Sequence, residues 1–109
     1  MKIQAKELNV LLFPQKSGDN QLWVAQCVDR DFAAQGATIE QAKANFSSTV
    51  DTHIALCLKH GEEPFVNVPP APAWFQRDFE MIKNASDTEI VGDRTPIRRM
   101  IFKHAFAGV

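Results

Sequence analysis

The feature that most constrains the fold is an apolar stripe at helical spacing between residues 38 and 61. Its members recur at intervals of three and four residues, the spacing that places side chains on one face of an α-helix; they are Ile39, Ala42, Phe46, Val50, Ile54 and Cys57. Thr38 and Gln41 fit a capping box at its start, and Gly61 fits a C-terminal cap. A helix of about 22 residues is about 33 Å long. The stripe therefore predicts one long helix, over residues 38–60, that covers one face of a small sheet.

Segments with strand character surround this helix. Before it, an apolar run ended by Pro14 and an aromatic and β-branched run are separated by turn residues, a pattern typical of an antiparallel hairpin. A change of phase between Glu7 and Leu8 predicts a bulge. A short third strand is expected before the helix, and a returning edge strand after it. The four segments are residues 8–13, 22–28, 32–36 and 65–68.

Three prolines, at positions 69, 70 and 72, mark the start of a different segment. Phe75, Phe79 and Ile82 share one helical face, so a short amphipathic helix is expected over about residues 73–84. Thr95 and Pro96 could cap a last helix, whose apolar side would comprise Ile97, Met100, Ile101 and Ala105. The same stretch also alternates at Met100, Phe102, His104 and Phe106, which is the pattern of a strand, and both interpretations remain open.

The predicted fold class is therefore α+β. We expect a mainly antiparallel sheet of three or four strands, the order β-β-β-α-β, and one long helix packed on a face of the sheet. A helical C-terminal extension follows. The chain of 109 residues forms a single domain by size. Residues 1–68 are the predicted core, and residues 69–109 are the extension, packed on the core or on a partner.

Composition and charge exclude several classes of protein. The longest apolar run, from Val10 to Phe13, is far too short to span a membrane, and residues 1–7 lack the apolar segment of a signal peptide. We therefore expect a cytoplasmic protein. The net charge of −1 argues against a surface that tracks phosphates throughout. Cys27 and Cys57 have no neighbouring metal-ligand spacing and are predicted to be small buried hydrophobes, so no metal and no cofactor is expected.

The start of the long helix carries a resemblance to a known family. The segment Gly36-Ala37-Thr38-Ile39-Glu40-Gln41-Ala42 is similar to the G-x-T-hydrophobic-E-E-A start that is common in HicB-like antitoxins. With residues 22–28 and 53–61 it resembles the HicB-like core over about residues 8–68. Residues 28–33 depart from the usual Pro-Asp-hydrophobic-Pro-Gly-Cys stretch. Residues 69–109 match neither the helix-turn-helix nor the ribbon-helix-helix that many members carry. The resemblance implies a partner-binding core that neutralises a small toxin-like ribonuclease.

Candidate catalytic groups are few. His53 lies on the apolar stripe with no second ligand at its spacing, and we expect a histidine at the edge of the core that is hydrogen-bonded nearby. Asp29 and Asp31, on either side of Arg30, could form the paired carboxylates of a metal nuclease, but a solvated turn is favoured. No phosphate loop, nucleophile elbow or H-E-x-x-H pattern is present. The chain is therefore predicted not to be an enzyme; a degenerate nuclease fold that retains activity is the weakest alternative.

Two groups of residues are predicted to bind a partner. Trp74 and Phe75 are either core residues or interface anchors, since aromatic side chains dominate both. Arg98, Arg99 and Lys103 lie in a segment with no acidic residue from position 94 onward. They either solvate one side of the terminal element, face an acidic protein or, as the least favoured of the three, grip nucleic acid.

The predicted function is non-catalytic protein–protein binding of the antitoxin kind. The alternative is a stand-alone HicB-like dimer that binds nucleic acid through its basic C-terminal segment. A homodimer is expected because the edges of so small a sheet leave backbone groups unpaired. It would form through a sheet edge or through residues 74–82.

Overall fold

The strands form one mixed sheet with a helix on each face. The computed structural model describes residues 6–81, 88–94 and 97–104. The elements in chain order are β1 (Lys6–Ser17), β2 (Asn20–Cys27), β3 (Ala33–Gly36), α1 (Ile39–Lys59), α2 (Ala73–Met81), β4 (Thr88–Arg94) and β5 (Ile97–His104). The sheet has five strands in the order β3-β2-β1-β5-β4. β1 and β5 are parallel and the other neighbours are antiparallel. The predicted α+β class and the long helix on the sheet are confirmed, but the sheet has one strand more than the upper limit predicted.

The first two strands form the expected hairpin. Ser17 pairs with Asn20 across a two-residue loop. Gly18 in that loop has φ +63°, the left-handed conformation that a type II′ turn requires at its first central position. Pro14 was expected to end the first strand, but β1 continues to Ser17. Proline is tolerated there because β5 pairs with β1 only as far as Leu12, so that no described strand neighbours β1 on this side beyond Leu12.

The caps predicted for the long helix are present at both ends of α1. The Thr38 Oγ1 accepts a hydrogen bond from the Gln41 backbone N–H at 3.0 Å, and the Gln41 Oε1 accepts one from the Ala37 N–H at 2.9 Å. At the other end Gly61 has φ +70°, and the Glu62 N–H donates to the Cys57 carbonyl at 2.8 Å. The helix is therefore bounded by local interactions that its own sequence supplies.

The core has two layers because α1 and α2 lie on opposite faces of the sheet. Alternation along β1 directs Leu8, Val10 and Leu12 to one face and Leu11 and Phe13 to the other. The α1 layer buries Leu8, Val10, Leu12, Ala25, Cys27, Ala42, Phe46, Val50, Ile54, Phe65, Met100 and Phe102. The α2 layer is smaller and comprises Leu11, Val28 and Phe79, with Phe13, Phe75 and Ile101 packed against them.

Two expectations for the second half of the chain are wrong. Residues 65–68 form turns rather than a returning edge strand, and Phe65 has φ +73° with its side chain buried. The place beside β1 is taken instead by β5, so the last helix expected from Ile97 is also absent and the strand interpretation is confirmed. Ile82, Thr95, Pro96, Ala105 and Phe106, which figured in those expectations, lie outside the described residues.

Residues of the predicted extension contribute strands to the same sheet as the predicted core. β5 lies between β1 and β4, and its Met100 and Phe102 are buried under α1. The bulge expected near Glu7 occurs as a register shift between Lys6 and Glu7, opposite β5. No helix in the described part of the chain combines the length and the hydrophobicity that a membrane crossing needs.

Candidate functional site

The charged turn after β2 is held by hydrogen bonds to its neighbours. The Asp29 Oδ2 accepts from the backbone N–H of Asn9 at 2.7 Å and from the Asn9 side-chain amide at 2.9 Å. The Asp31 Oδ1 accepts from the Gln26 amide at 2.9 Å. The Arg30 guanidinium donates to the Val68 carbonyl at 2.9 Å. The turn is thus neither merely solvated nor a pair of carboxylates aimed at a common point. Within residues 6–81, 88–94 and 97–104, no group of three or more His, Cys, Asp or Glu residues could hold a metal ion.

The same turn is hydrogen-bonded to residues 69–71, where the chain crosses from one face of the sheet to the other. The Asp31 N–H donates to the Pro69 carbonyl at 2.7 Å, and the Ala71 N–H donates to the Val28 carbonyl at 3.3 Å. Ala71 is buried. These bonds satisfy backbone groups in a stretch where prolines offer few donors, and they hold the start of α2 close to the end of β2.

His53 has the structural role predicted for it. Its Nε2 accepts a hydrogen bond from the Phe65 N–H at 3.0 Å. Its ring meets that of Phe32 edge-on at 4.9 Å and lies 5.3 Å from that of Phe65. Burial lowers the pKa of His53, and the negative charge of Glu62 opposes this shift. Because the accepting nitrogen must be unprotonated, this contact requires the neutral ring.

The two cysteines are free. Cys27 is fully buried, and burial raises the pKa of its thiol to about 11, so the thiol stays protonated at neutral pH. Cys57 is half-buried, and its Sγ lies 3.5 Å from the His53 Nε2. Cys27 is the small buried hydrophobe that the sequence predicts, and Cys57 is only partly so.

Trp74 and Phe75 have different surroundings although they are adjacent. Trp74 is 52% exposed, and its ring stacks on that of Phe75 at 3.9 Å between centroids. Phe75 is half-buried and faces Phe13 across 6.0 Å. Phe75 is therefore the core residue and Trp74 the surface residue of the pair. The stacking holds the exposed indole in place.

The basic cluster predicted at the C-terminal end does not form one exposed group. Lys103 is only 7% exposed; its Nζ donates to the Phe79 carbonyl at 3.3 Å and lies 3.9 Å from the centre of the Phe79 ring. The expectation that Lys103 is available to an outside partner is therefore wrong. Its charge is placed at the last turn of α2, where cations are favourable. Arg98 and Arg99 lie on β5; their side chains lie outside the described set.

The structure adds a groove that the sequence did not predict. It is open, has a volume of about 340 Å³, and is lined by Gln15, Val24, Ala33, Ala34 and Gln35. Phe13, Val24 and Gln35 are successive partners in the register of β1, β2 and β3. The groove thus begins beside the residue on which Phe75 packs, on the part of the sheet next to α2. These residues are brought together only by strand pairing, so spacing along the chain carried no signal for them.

A second depression, of about 410 Å³, follows the outer side of α1 and is lined by Asn45, Ser48, Thr49 and Thr52. All four belong to one helix and none is charged, so this depression is the polar solvent face that an amphipathic helix must have.

Comparisons of the chain with protein-family models, with curated proteins and with solved structures each give no match. The described residues define an α+β protein whose candidate site is a surface. That surface consists of the exposed side of α2 and the groove on the same face of the sheet, and we call it the α2 surface; its members are Gln15, Val24, Ala33, Gln35, Trp74, Arg77, Asp78 and Met81.

Proposed function

We propose that the protein acts by binding another protein, as a non-catalytic HicB-like antitoxin that neutralises a small partner in the cytoplasm. The observation that carries this proposal is the half-exposed Trp74, whose ring stacks on Phe75, on the face of the sheet where an open groove lies over β2 and β3. Tryptophan is among the residues most enriched at binding hot spots. An anchor that is already held in place loses little conformational freedom on binding, which favours affinity.

The surroundings of the reactive side chains support binding rather than catalysis. Asp29 and Asp31 accept hydrogen bonds that hold the turn after β2. The neutral ring of His53 is used to accept from Phe65, and the thiol of Cys27 is buried and protonated. Each of these groups has a role in maintaining the fold that a catalytic role would disturb.

The geometry at the start of α1 supports the HicB-like resemblance by giving its glycine a physical reason. A Cβ added at Gly36 would lie 2.6 Å from the Gln41 Cβ and 2.7 Å from the Ala42 nitrogen. Its φ is not in the left-handed region, so the glycine is required by close approach rather than by the turn itself. Ala42 is fully buried against the sheet, as the small residue of the motif implies.

The alternative, binding of nucleic acid through the basic segment, loses one of its three named cations because Lys103 is buried. Phosphate contacts by Arg98 and Arg99 alone would give a log–log salt slope of roughly −2 at most. A protein partner touched at the rim would show a weaker dependence, mainly in the association rate.

The proposal is tested with a defined partner. We expect a neighbouring reading frame to encode a basic protein of roughly sixty to eighty residues, a single small domain. The two proteins are co-expressed and purified, and the RNA degradation by the partner is measured as this chain is added. Inhibition at one-to-one stoichiometry supports the proposal, and Trp74→Ala should weaken binding by about tenfold or more.

Leu56→Ala is the matched control, because Leu56 is 51% exposed and lies on the helix of the opposite face. It should leave binding unchanged. A neighbour that shows neither binding nor inhibition would overturn the antitoxin role. Sub-micromolar binding of DNA or RNA at near-physiological salt, lost in the Arg98→Ala, Arg99→Ala double variant, would favour the alternative instead.

A further inference from the structure

The segment that follows α1 is attached to that helix by a contact that can titrate. In the described part of the chain, residues 63–67 make one hydrogen bond to residues outside 62–68, which the Phe65 N–H donates to the His53 Nε2 at 3.0 Å. Pro64 has no N–H to donate. The Val68 N–H bonds within the segment, to the Phe65 carbonyl at 3.1 Å. The hydrogen-bonded attachment of this segment therefore depends on the protonation state of one ring.

Phe65 is held in a backbone conformation that its residue type disfavours. Its φ of +73° lies in the left-handed region, which is unusual for a bulky side chain. The side chain is buried and contacts the rings of Phe32 and His53, whose centroids lie 6.0 and 5.3 Å from its own. A backbone strained in this way persists only where its surroundings hold it. Here they comprise the acceptor on His53 and the aromatic contacts.

Both ends of the segment are fixed by hydrogen bonds that do not involve His53. At the start, the Glu62 N–H donates to the Cys57 carbonyl at 2.8 Å. At the end, the Arg30 guanidinium donates to the Val68 carbonyl at 2.9 Å. Neither bond depends on a group that titrates near neutral pH. The stretch between these two points can therefore open locally while the elements on either side stay folded.

We propose that His53 is a pH-sensitive switch, whose protonation releases Phe65 and opens residues 63–67 while the sheet and both helices stay folded. A protonated imidazole carries a proton on each nitrogen and cannot accept from the Phe65 N–H. Two donors then face each other across the 3.0 Å contact. The strained backbone of Phe65 loses one of the contacts that hold it, so the closed form is weakened relative to the open one.

The groups around the ring determine the direction of the pH dependence. Burial lowers the pKa of His53, and the negative charge of Glu62 opposes this shift. The Cys57 Sγ lies 3.5 Å from the Nε2. On the connection between β2 and β3, the side chains of Arg30 and Asp31 are hydrogen-bonded elsewhere. Because the pKa is lowered in the closed form, the open form binds the proton more tightly, and opening increases as pH falls through and below about 6.5.

Amide hydrogen exchange of the full chain, followed by NMR between about pH 7.5 and 5, tests the proposal. After correction for the intrinsic exchange rate, the protection of the Phe65 amide should fall by about tenfold, the effect of one hydrogen bond. The protection of amides in the middle of α1, such as that of the fully buried Val50, should not change. The nitrogen shifts of the His53 ring, read in the same samples, should show the Nδ1–H tautomer at pH 7.5 and a titration whose midpoint coincides with the loss of protection.

Two variants separate this histidine from other effects of pH. His53→Gln keeps a side-chain acceptor that does not titrate, so the protection of Phe65 should no longer depend on pH. His60→Gln is the matched control, because His60 is exposed and lies just beyond α1, and it should keep the pH dependence of the wild type.

Three results would overturn the proposal. They are a constant protection of the Phe65 amide in the wild type, an equal loss of protection along α1, and a pH dependence that remains in His53→Gln. The first two are read from the wild-type chain and need no variant. The α2 surface and a partner protein take no part in this measurement, so its outcome is independent of the antitoxin test.

Discussion

Replacing Phe46 by alanine tests the packing on which the whole fold depends. The Phe46 side chain is fully buried between α1 and the sheet. Its ring meets that of Phe102 edge-on, with centroids 6.0 Å apart and an interplanar angle of 84°. The substitution therefore removes a contact between the long helix and β5, a strand distant in sequence. Truncation of a core aromatic of this kind costs roughly 3–5 kcal/mol.

The parts of that figure can be estimated from the surroundings of the ring. The change from Phe to Ala removes roughly 120 Å² of buried apolar surface, and at about 25 cal/mol per Å² this loss amounts to about 3 kcal/mol. Loss of the edge-on pair with Phe102 adds about 0.5–1.5 kcal/mol. The total of about 4 kcal/mol is a large share of the stability of a small domain, which is typically about 5–15 kcal/mol.

Urea unfolding followed by circular dichroism measures this loss through the shift of the midpoint at an unchanged slope. Phe46→Leu, which keeps most of the volume, should lose less than half as much. Leu56→Ala, at a half-exposed position of the same helix, should stay within about 0.5 kcal/mol of the wild type. A loss below about 1 kcal/mol for Phe46→Ala would place this side chain at the surface and refute the orientation of α1.

Substitutions at three further positions probe local features. Gly36→Ala should lower the free energy of unfolding by roughly 1–3 kcal/mol, because the added Cβ would meet the first turn of α1. Replacing glycine at an unstrained position usually raises stability, so a gain in stability here would refute the close approach. The folded-state pKa of His53 is lowered, so its contribution is complete above the unfolded pKa of about 6.5 and is lost as pH falls through and below that value. His53→Gln keeps an acceptor for the Phe65 N–H but does not titrate, and its unfolding free energy should fall less than that of the wild type between about pH 7.5 and 5. Lys103→Met should change the free energy of unfolding by less than about 1.5 kcal/mol. Lys103→Glu buries a carboxylate against the Phe79 carbonyl and should cost about 3–5 kcal/mol. Equal losses of stability in the two variants would contradict the burial of this side chain.

The long helix could be predicted from the sequence almost to the residue because its determinants are local. The hydroxyl of Thr38 and the amide of Gln41 lie within one turn of the groups they bond. Gly61 ends the helix through its own backbone conformation. The apolar stripe needs only the helical period to define a face. None of these features depends on residues far away in the chain.

The last strand could not be assigned because its periodicity fits two structures. Met100 and Phe102 face α1, whereas Ile101 packs against the α2 layer. A strand covered on both faces carries apolar residues at consecutive positions, and such a run does not differ in pattern from part of a helix. The choice is made by pairing with β1, which is more than eighty residues away in sequence, as in Leu8 with Met100. That contact is invisible in a single sequence.

The candidate site was predicted in part for a similar reason. An exposed aromatic near the prolines could be expected at Trp74 or Phe75, but only packing on Phe13 decides which of the two is buried. The prediction for Lys103 was wrong because it considered only the charges of neighbouring residues in the sequence. Whether the ammonium group can reach a partner depends on what packs against it in the fold, which is the ring of Phe79. The groove at Val24 depends on the register of three strands, and no pattern in the sequence predicts it.

The two helices differ in length and therefore cover the two faces of the sheet to different extents. At 1.5 Å per residue, α1 with 21 residues extends about 32 Å and α2 with nine residues about 14 Å. The longer helix contacts β2 and β3 and buries one face beneath it. The shorter one contacts β1, and Lys103 of β5 donates a hydrogen bond to its last turn. On this face Val24 and Gln26 of β2 are buried, whereas Ala33 and Gln35 of the edge strand β3 are exposed. The surface that another protein can bury on this face is therefore the exposed Trp74, whose ring stacks on Phe75, together with the exposed residues of β3.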